Sequence, residues 1–404
     1  MKNKNTQSSP FVRGGLYNFK IYNTIVAVPS DIWSSITHDA MFMRIAYFKA
    51  LENSKISGLQ MRYVLVEKGS EPIAALQIQI LNVADKDLNG VINLKEKGWL
   101  LNNLHNPLNQ LMFKCGGERP NYLICCGSLL VSGEYGICAN GKETLFETGE
   151  LLPEIVKSVK HSFPDASYCG CMVKDFFDNA PVDLVLNHQN YFELPMDPEM
   201  IFYVRDEWKS FQDYLASLSA KYRLKANNSL SKTAHLEKRF LSLKEIKEYG
   251  TQIMQLYDNV QKRAAIQLIK VSDSYFINLK KEMPEQFYLK AFFDEDKPVA
   301  FTSGFHVSGG HHEAHFIGID YSLNTSLQLY QNILYSYIDD AIQMKSKHLY
   351  FGRTAMEIKT TVGAKAFPLH SYFRLENKVM NKMAKTILKH IPEQSWIPRN
   401  PFKE

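Results

Sequence analysis

Histidine and glutamate side chains alternate along HHEAHFIGID, residues 311–320, which has the pattern of a β-strand. Side chains two positions apart lie on one face of a strand, so we expect His311, Glu313 and His315 on one face and Phe316 on the other. A histidine titrates near neutrality, and burial can raise the pKa of a glutamate towards it. Glu313 and His315 are therefore candidates for a general base. The alternative is a half-exposed polar strand that follows a histidine-rich turn.

Three further polar side chains follow in the same region. Asp320 and Tyr321 close the predicted strand, and Tyr330 lies on the amphipathic helix predicted after it. A carboxylate can accept a proton, and a phenol can donate one or orient a carbonyl group, so all three are candidate site residues. The alternative is that Tyr330 packs against the sheet, as one of several tyrosines on the same amphipathic helix with Tyr335 and Tyr337.

An arginine and a lysine lie in the sequence GRTAMEIK, which follows the next predicted strand. A guanidinium at a strand end can bind a phosphate or a carboxylate through two parallel hydrogen bonds. Arg353 and Lys359 are therefore candidate anchors for an anionic ligand. The alternative is a surface ion pair between Glu357 and a nearby cation.

Other catalytic centres are not supported by the sequence. Four histidines occur within ten positions, namely His306, His311, His312 and His315. Their spacing matches no established zinc pattern and Glu313 is the one acid among them, so no metal is expected. The six cysteines form no CxxC pair, which predicts buried reduced thiols. A G-x-S-x-G hydrolase motif does not occur.

The elements that must position these side chains occur twice along the chain. Each half contains helix, strand hairpin, longer strand, helix and further strand in that order, which predicts an α/β (α+β) sandwich. We expect domains at 1–200 and 241–404, with a basic hinge helix region at 201–240. A loop-rich stretch at 84–120 predicts a functional insertion or cover.

Several stretches of the sequence are similar to segments of a known family. In the second half these are HFIGID, KHLYFGRT and MEIKTTVGA, the last two similar to "l-x-F-G-R-T" and "x-E-x-K-x-x-x-G-A". FKALENS, LLVSGEYGI and the linker WKSFQDYLASLSAKYRLKANN are similar to further segments. The order of elements resembles the GNAT acyltransferase fold. Its duplication resembles the tandem GNAT arrangement of FemAB-like and predicted lipid N-acyltransferases, a group that includes bacterial ceramide synthases.

The resemblance implies two tandem GNAT-like domains with mixed central sheets flanked by helices. It also implies an N-acyltransferase that moves an acyl group from a thioester, acyl-CoA or acyl carrier protein, to an amine of lipid or sphingoid type. The donor pairs with the splayed central strand in that family. The residues then implied to bind it are Ile317, Gly318, Ile319, Thr325, Ser326, Tyr330, Arg353 and Lys359. No covalently bound cofactor is expected.

One departure from the family pattern concerns the donor. GNAT enzymes cradle the coenzyme A pyrophosphate in a glycine-rich turn before the central helix, whereas IDYSLNTSLQLY contains no glycine. Backbone N–H groups near Thr325 and Ser326 can still meet an anion. The departure leaves room for a long-chain acyl-CoA, for an acyl carrier protein, or for aminoacyl-tRNA in a peptidoglycan cross-bridge ligase of the FemAB type. A non-catalytic binding or scaffold protein with a degenerate GNAT fold is a third alternative.

The composition is that of a globular protein of about two domains, since 45% of the 404 residues are hydrophobic. The formal net charge of +5 is too small to indicate a nucleic-acid binder by itself. The positive charge is nevertheless clustered after the hinge, at Lys221, Arg223, Lys225, Lys232, Lys238 and Arg239.

A second basic region lies at residues 378–402. It begins with an amphipathic helix whose apolar stripe includes Val379, Met383 and Ile387, a pattern typical of a membrane surface or of docking on the second domain. The N-terminus lacks the apolar core of a signal peptide, and no apolar run reaches the ~18 residues of a membrane span. We therefore expect a cytoplasmic protein with peripheral contact at the inner membrane face.

Overall fold

The computed structural model of the chain describes residues 6–8, 16–38, 40–83, 120–177, 180–264, 268–307, 310–388 and 396–403. The chain forms two compact units, each with its own sheet. The first unit comprises Met1–Met196, Ala265–Lys270 and Leu369–Gln394, and the second comprises Asp197–Ala264, Val271–Pro368 and Ser395–Glu404. The predicted insertion at 84–120 lies outside the described residues, apart from Pro120.

Helices and strands alternate along both units. The first part of the chain forms β1 (Thr6–Ser8), β2 (Tyr17–Tyr22), α1 (Ser30–Thr37), α2 (Ile45–Ser54), β3 (Leu59–Lys68), β4 (Glu71–Asn82), β5 (Asn121–Cys126), β6 (Ile137–Ala139), α3 (Lys142–His161), β7 (Ser167–Phe176), α4 (Ala180–His188) and β8 (Phe192–Leu194). The next part forms β9 (Glu199–Tyr203), α5 (Phe211–Ser217), α6 (Ala220–Ser231), β10 (Glu237–Phe240), α7 (Leu243–Glu248), α8 (Gly250–Gln261), α9 (Asp273–Glu282), β11 (Phe287–Asp294), β12 (Lys297–Val307), β13 (His311–Ile319), α10 (Tyr321–Leu327), α11 (Leu329–Gln343), β14 (His348–Tyr350), α12 (Met356–Thr360) and β15 (Lys365–Phe367). The chain then forms β16 (His370–Leu375) and α13 (Lys378–Leu388).

The first sheet contains nine strands within the described residues. Their order is β1-β2-β3-β4-β5-β7-β16-β8, with β6 paired to β4. β5 and β7 run parallel and the other pairs run antiparallel, so the sheet is mixed. Apolar side chains from the sheet and from α3 share one core, which includes Ile78, Ile124, Val173 and Leu152. Their burial is the main source of stability for this layer.

Helix α3 begins earlier than the sequence suggests. The pattern predicts entry through Pro153, but the helix starts at Lys142 and the proline lies inside it. Proline has no N–H to donate to the carbonyl four residues earlier. The side chain of Gln189 donates to that carbonyl, on Gly149, at 2.9 Å instead. The helix therefore continues through the proline without leaving this acceptor unsatisfied.

Two other predicted helices are each divided in the structure. The helical pattern at 28–54 is interrupted after Thr37, where His38 takes a φ of 44°. The helix predicted over 243–263 is divided at Tyr249 into α7 and α8. Apolar periodicity continues across both interruptions, so it does not reveal them.

The second sheet contains seven strands within the described part of the chain, in the order β10-β11-β12-β13-β14-β9-β15. β13 and β14 run parallel, and the other pairs run antiparallel. On one face Ala300 and Ile319 pack with Ile338 of α11. On the other face Gly318 lies against Leu256 of α8. Helices thus cover both faces of the central strands.

The ends of the predicted second domain differ from those of the second unit. β9 pairs with β14 and β15 inside the second sheet, so this sheet includes a strand that crosses from the predicted first domain into the predicted hinge region. β16 pairs with β7 and β8, which assigns it to the first sheet. α13 likewise belongs to the first unit, where Asn381 donates to the carbonyl of Asn190 at 2.8 Å. The helix that the sequence assigns to the second domain is therefore part of the first unit.

The predicted fold class is confirmed. Two mixed sheets flanked by helices form an α/β architecture in which the order of elements is repeated. Among the described helices, none combines the length and apolar character that crossing a membrane requires.

Candidate active site

The central feature of the second sheet is the place where two parallel strands stop pairing. β13 and β14 pair from His311 opposite His348 to Glu313 opposite Tyr350. β14 ends there, whereas β13 continues to Ile319. We call this place the fork. Along it one edge of β13 extends past β14, and an open strand edge offers backbone N–H and C=O groups to an extended ligand.

A β-bulge lies in β13 beside the fork. Thr302 of β12 pairs with Ile317 while Gly304 pairs with Ala314, so His315 and Phe316 together oppose Ser303. A bulge of this kind interrupts the alternation of side chains. The phenol of Tyr275 in α9 contacts both rings, His315 through a hydrogen bond and Phe316 at a centroid distance of 5.9 Å. The prediction that Phe316 lies on the opposite face is therefore wrong.

Glu313 is the last paired residue of β13 at the fork, and it is half-buried. Its neighbour across the strands is Tyr350, and burial together with the charges of Glu313, Tyr203 and Glu199 raises the pKa of this tyrosine to about 12. The phenol therefore keeps its proton near neutral pH. Tyr350 is not among the predicted site residues. The alternation in KHLYF does predict the strand that carries it.

His315 lies two residues further along β13. Its Nε2 is 2.7 Å from the hydroxyl of Tyr275, and its ring packs against Phe305 and Phe316. This burial lowers the pKa of His315 to about 3. The imidazole is therefore neutral under ordinary conditions and is a weak base.

Three of the four histidines of the predicted group lie in separate environments, and the fourth, His306, lies opposite His312 in the β12–β13 pair. His311 lies beside His348, with 3.2 Å between their Nδ1 atoms. His312 lies on the opposite face, fully buried, with its Nε2 2.6 Å from the hydroxyl of Tyr288. Since His315 contacts Tyr275, each of the three has a separate environment. Histidine spacing along the sequence therefore does not correspond to one site.

Asp320 and Tyr321 lie at the start of α10. The carboxylate of Asp320 caps this helix by accepting from the backbone N–H of Ser322 at 3.0 Å and from its hydroxyl at 2.6 Å. The guanidinium of Arg263 lies over the Tyr321 ring at 3.8 Å. These contacts give Asp320 a capping role, and its catalytic role remains a prediction.

Helix α10 occupies the sequence position of the expected phosphate-binding turn. Thr325 and Ser326 are exposed on it, and Ser326 donates to the carbonyl of Leu323. Asn324 Oδ1 accepts from the backbone N–H of Tyr330 at 3.0 Å, in the first turn of α11. One donor that an anion would use is therefore already bonded within the chain.

Three residues that are predicted to pair with the donor lie on β13 beyond the fork, namely Ile317, Gly318 and Ile319. A Cβ on Gly318 would overlap the Phe301 ring and lie 2.7 Å from Leu256, so the close packing of α8 requires glycine here. The carbonyl of Ile319 accepts from Asn259 of α8 at 3.1 Å. The end of β13 is therefore fixed by α8.

Lys359 is buried beneath the loop that carries Arg353. The residue is 4% exposed, and its ammonium donates to the carbonyls of Gly352 at 2.9 Å and Arg353 at 2.6 Å. Burial lowers the pKa of Lys359 to about 8, against the opposing effect of Glu199 and Asp197. These contacts hold the shape of the loop after β14, so the observed role of Lys359 is to support Arg353.

The basic cluster predicted after the hinge divides into two groups. Lys238 is half-buried and lies over the Phe292 ring, and Arg239 forms ion pairs with Glu237 and Glu245. α6 carries the others on its surface or at its end, namely Lys221, Arg223, Lys225 and Lys232. The basic surface is thus smaller than the sequence suggests.

Two mixed sheets in tandem, one with a fork, a bulge beside it and a central helix behind it, define a tandem GNAT-like fold. No protein-family model and no curated protein matches the chain. Among solved structures the chain is similar to that of FemX, at 9% identity and a TM-score of 0.52, over 89% of this chain and 98% of that chain.

Two further solved structures have lower TM-scores. One is a tandem GNAT protein from the clavulanic acid biosynthesis pathway, with 8% identity and a TM-score of 0.48 over 89% of this chain and 99% of that one. The other is a conserved protein of unknown function from Bacteroides thetaiotaomicron, with 10% identity and a TM-score of 0.47 over 87% and 98% of the two chains. At these identities the likeness to FemX shows a shared fold alone.

Proposed function

We propose that the protein is an N-acyltransferase that moves an acyl group from a thioester to an amine at the fork of the second unit. The observation that carries this proposal is the position of Glu313, a half-buried carboxylate at the fork beside the extended edge of β13. An extended thioester arm can pair with that edge, and a carboxylate beside it can accept the amine proton.

The reaction needs few groups. The amine nitrogen forms a C–N bond to the acyl carbon, the C–S bond breaks, and the amine proton moves to Glu313. Tyr350 keeps its proton near neutrality and can donate it to the departing thiolate. Arg353 is the cation proposed to bind an anionic part of the donor, on the loop held by Lys359.

The start of α11 supports a proposal for the class of donor. Since Asn324 already accepts the N–H of Tyr330, this helix turn has one donor fewer for the pyrophosphate of any acyl-CoA, so the acyl portion must supply more of the binding. A long-chain acyl-CoA or an acyl carrier protein would be bound mainly through its acyl and pantetheine portions. We propose an amphiphilic amine of lipid or sphingoid type as the acceptor.

A panel assay tests the activity. Purified protein is incubated with acetyl-CoA, palmitoyl-CoA or palmitoyl acyl carrier protein, each with short-chain or long-chain amines. We expect thiol release and an N-acyl product of the correct mass with a long-chain pair. Absence of thiol release with every pair, lipids included, would contradict the proposal.

Peripheral membrane contact is the second part of the proposal, and α13 supports it. Val379 and Met383 lie on the exposed side of this helix, 71% and 48% exposed, and Lys378 and Lys382 beside them are exposed as well. Asn381 and Ala384 lie on the buried side. An exposed apolar ridge flanked by cations suits an anionic lipid interface.

We expect the full-length protein to sediment with phosphatidylglycerol vesicles and to bind neutral phosphatidylcholine vesicles less. Changing Val379 and Met383 together to Asp should weaken this binding roughly tenfold or more, because neither side chain could then enter the apolar part of the bilayer. Leu224→Asp, at an exposed leucine of the second unit, is the matched control. Equal vesicle binding by the wild type and the α13 variant would exclude this surface.

A tRNA-dependent peptidoglycan ligase is the alternative function, and the surface of α6 is the observation in its favour. Lys221 and Lys225 lie 5.9 and 5.8 Å from the Tyr222 ring. Cations around an aromatic ring suit a nucleic-acid backbone and an unstacked base. Binding of tRNA that weakens steeply with salt would favour this alternative over the lipid acceptor.

A further inference from the structure

Tyr337 lies at the base of the fork, on the face of the second sheet opposite Glu313. It belongs to α11 and is 2% exposed. Its ring meets Phe351, the first residue after β14, at a centroid distance of 6.2 Å, and His312 of β13 at 6.3 Å. One side chain thus contacts β13 and the residue that follows β14, close to the point where the two strands stop pairing.

The hydroxyl of Tyr337 is bonded to the bulge itself. It donates to the carbonyl of Ser303 at 2.8 Å, and Ser303 is the residue opposite the two bulged positions of β13. Burial raises the pKa of Tyr337, although a backbone N–H of His315 favours the ionised form. The phenol therefore remains a donor and contacts the backbone of both strands that form the bulge.

A second bond closes the same bulge. The hydroxyl of Ser303 donates to the carbonyl of Phe316 at 2.8 Å. Next to it, a Cβ on Gly304 would lie 2.6 Å from the hydroxyl of Tyr288, which bonds His312 across this position. The close contact requires glycine here. Specific hydrogen bonds therefore stabilise the bulge in addition to apolar packing. Tyr337 supplies one of them from α11.

We propose that Tyr337 is a positioning residue that holds the β12–β13 bulge in register and keeps β13 and β14 apart, so that the edge of β13 stays open for the thioester arm of the donor. This inference rests on the proposed function for its reference to the donor. Tyr337 is too deeply buried to touch the substrate, so it acts through the backbone of Ser303 and His315.

The test distinguishes the effect of the Tyr337 hydroxyl from that of its aromatic ring. Tyr337→Phe keeps the aromatic wedge and removes the hydrogen bond to Ser303. We expect the KM for the thioester to rise about tenfold, as for loss of one buried hydrogen bond, while the KM for the amine stays within about twofold. We also expect amide hydrogen exchange at residues 314–318 to become about tenfold faster.

Tyr335→Phe is the matched control, because Tyr335 is a buried tyrosine of the same helix that has no bond to β12 or β13 among the hydrogen bonds of the described residues. Exchange at 314–318 should not change in this variant. Equal exchange in Tyr337→Phe and the wild type would overturn the inference, and so would an equal rise of both KM values.

The exchange measurement does not depend on activity. If the wild type acylates no amine, faster exchange at 314–318 in Tyr337→Phe alone would still support the role of Tyr337 in the bulge, and only the proposed function would fail. If the wild type is active but exchange and both KM values are unchanged in the variant, the inference about Tyr337 fails and the proposed function stands.

Discussion

Replacing Glu313 by Gln should lower kcat for N-acylation by about 100- to 10,000-fold, the range typical for loss of a general base. The amide has nearly the same shape as the carboxylate but cannot accept the amine proton. Glu313 lies at the last paired position of the fork, so its loss removes the acceptor at the point where amine and thioester would meet. The measurement is the initial rate of thiol release at saturating donor and amine.

Two control variants test whether the loss of activity is specific to Glu313. Glu285→Gln changes an exposed glutamate of the same unit and should leave kcat within about twofold, as expected for a group outside the site. His315→Ala should have a smaller effect on kcat than Glu313→Gln, because the half-buried imidazole, with its pKa lowered to about 3, is a weak base. A larger loss of activity in His315→Ala than in Glu313→Gln would reverse the assignment of the base.

The second large effect is expected in the core. Asp340 of α11 and Lys290 of β11 form a buried ion pair at 2.7 Å. Asp340→Ala removes the carboxylate and leaves the lysine ammonium buried without its counter-charge. Breaking a buried pair in this way costs about 3–5 kcal/mol of unfolding free energy. Urea unfolding of the wild type and the variant at pH 7 measures the difference.

The matched control replaces both partners, as Lys290→Met with Asp340→Leu. Apolar residues of similar size need no counter-charge, so the double variant should be much closer to the wild type in stability than Asp340→Ala. Equal stability of Asp340→Ala and the wild type would mean that the pair is hydrated in solution and contributes little.

The same carboxyl group should give the protein a characteristic dependence on pH. Burial raises the pKa of Asp340 to about 6, against the opposing effect of Lys290. An exposed aspartate has a pKa of about 4. Between about pH 4 and pH 6, Asp340 therefore keeps a proton in the native state that it has lost in the unfolded chain. The contribution of Asp340 to stability therefore decreases as the pH rises through this window. Asp340→Asn should remove that slope.

Much of the second sheet follows from local sequence pattern. Alternation of apolar side chains predicts β11, β12 and β13, and the turn residues between β11 and β12 predict their hairpin. The same alternation assigns Glu313 to one face of β13. The helix over 329–343 follows from its apolar period. These features depend on residues close together in the chain.

Several features of the site depend on contacts between residues far apart in the chain. Tyr350 becomes the neighbour of Glu313 through parallel pairing of strands that are joined by two helices. The bulge at His315 depends on the register of β12, which alternation within β13 does not contain. Lys359, which the sequence suggests as an anchor for an anionic ligand, is buried because the loop at 352–353 folds over it.

The α/β class, the repeated order of elements and the strand that carries Glu313 can all be read from the amino-acid sequence, because helix and strand periods and turn preferences act over short segments. Long-range contacts in the folded chain fix where β13 and β14 stop pairing, place β16 in the first sheet, and bring Tyr337 to the bulge. Strand partners and registers are selected by burial and hydrogen bonding across the whole unit, and one strand's pattern is compatible with more than one partner.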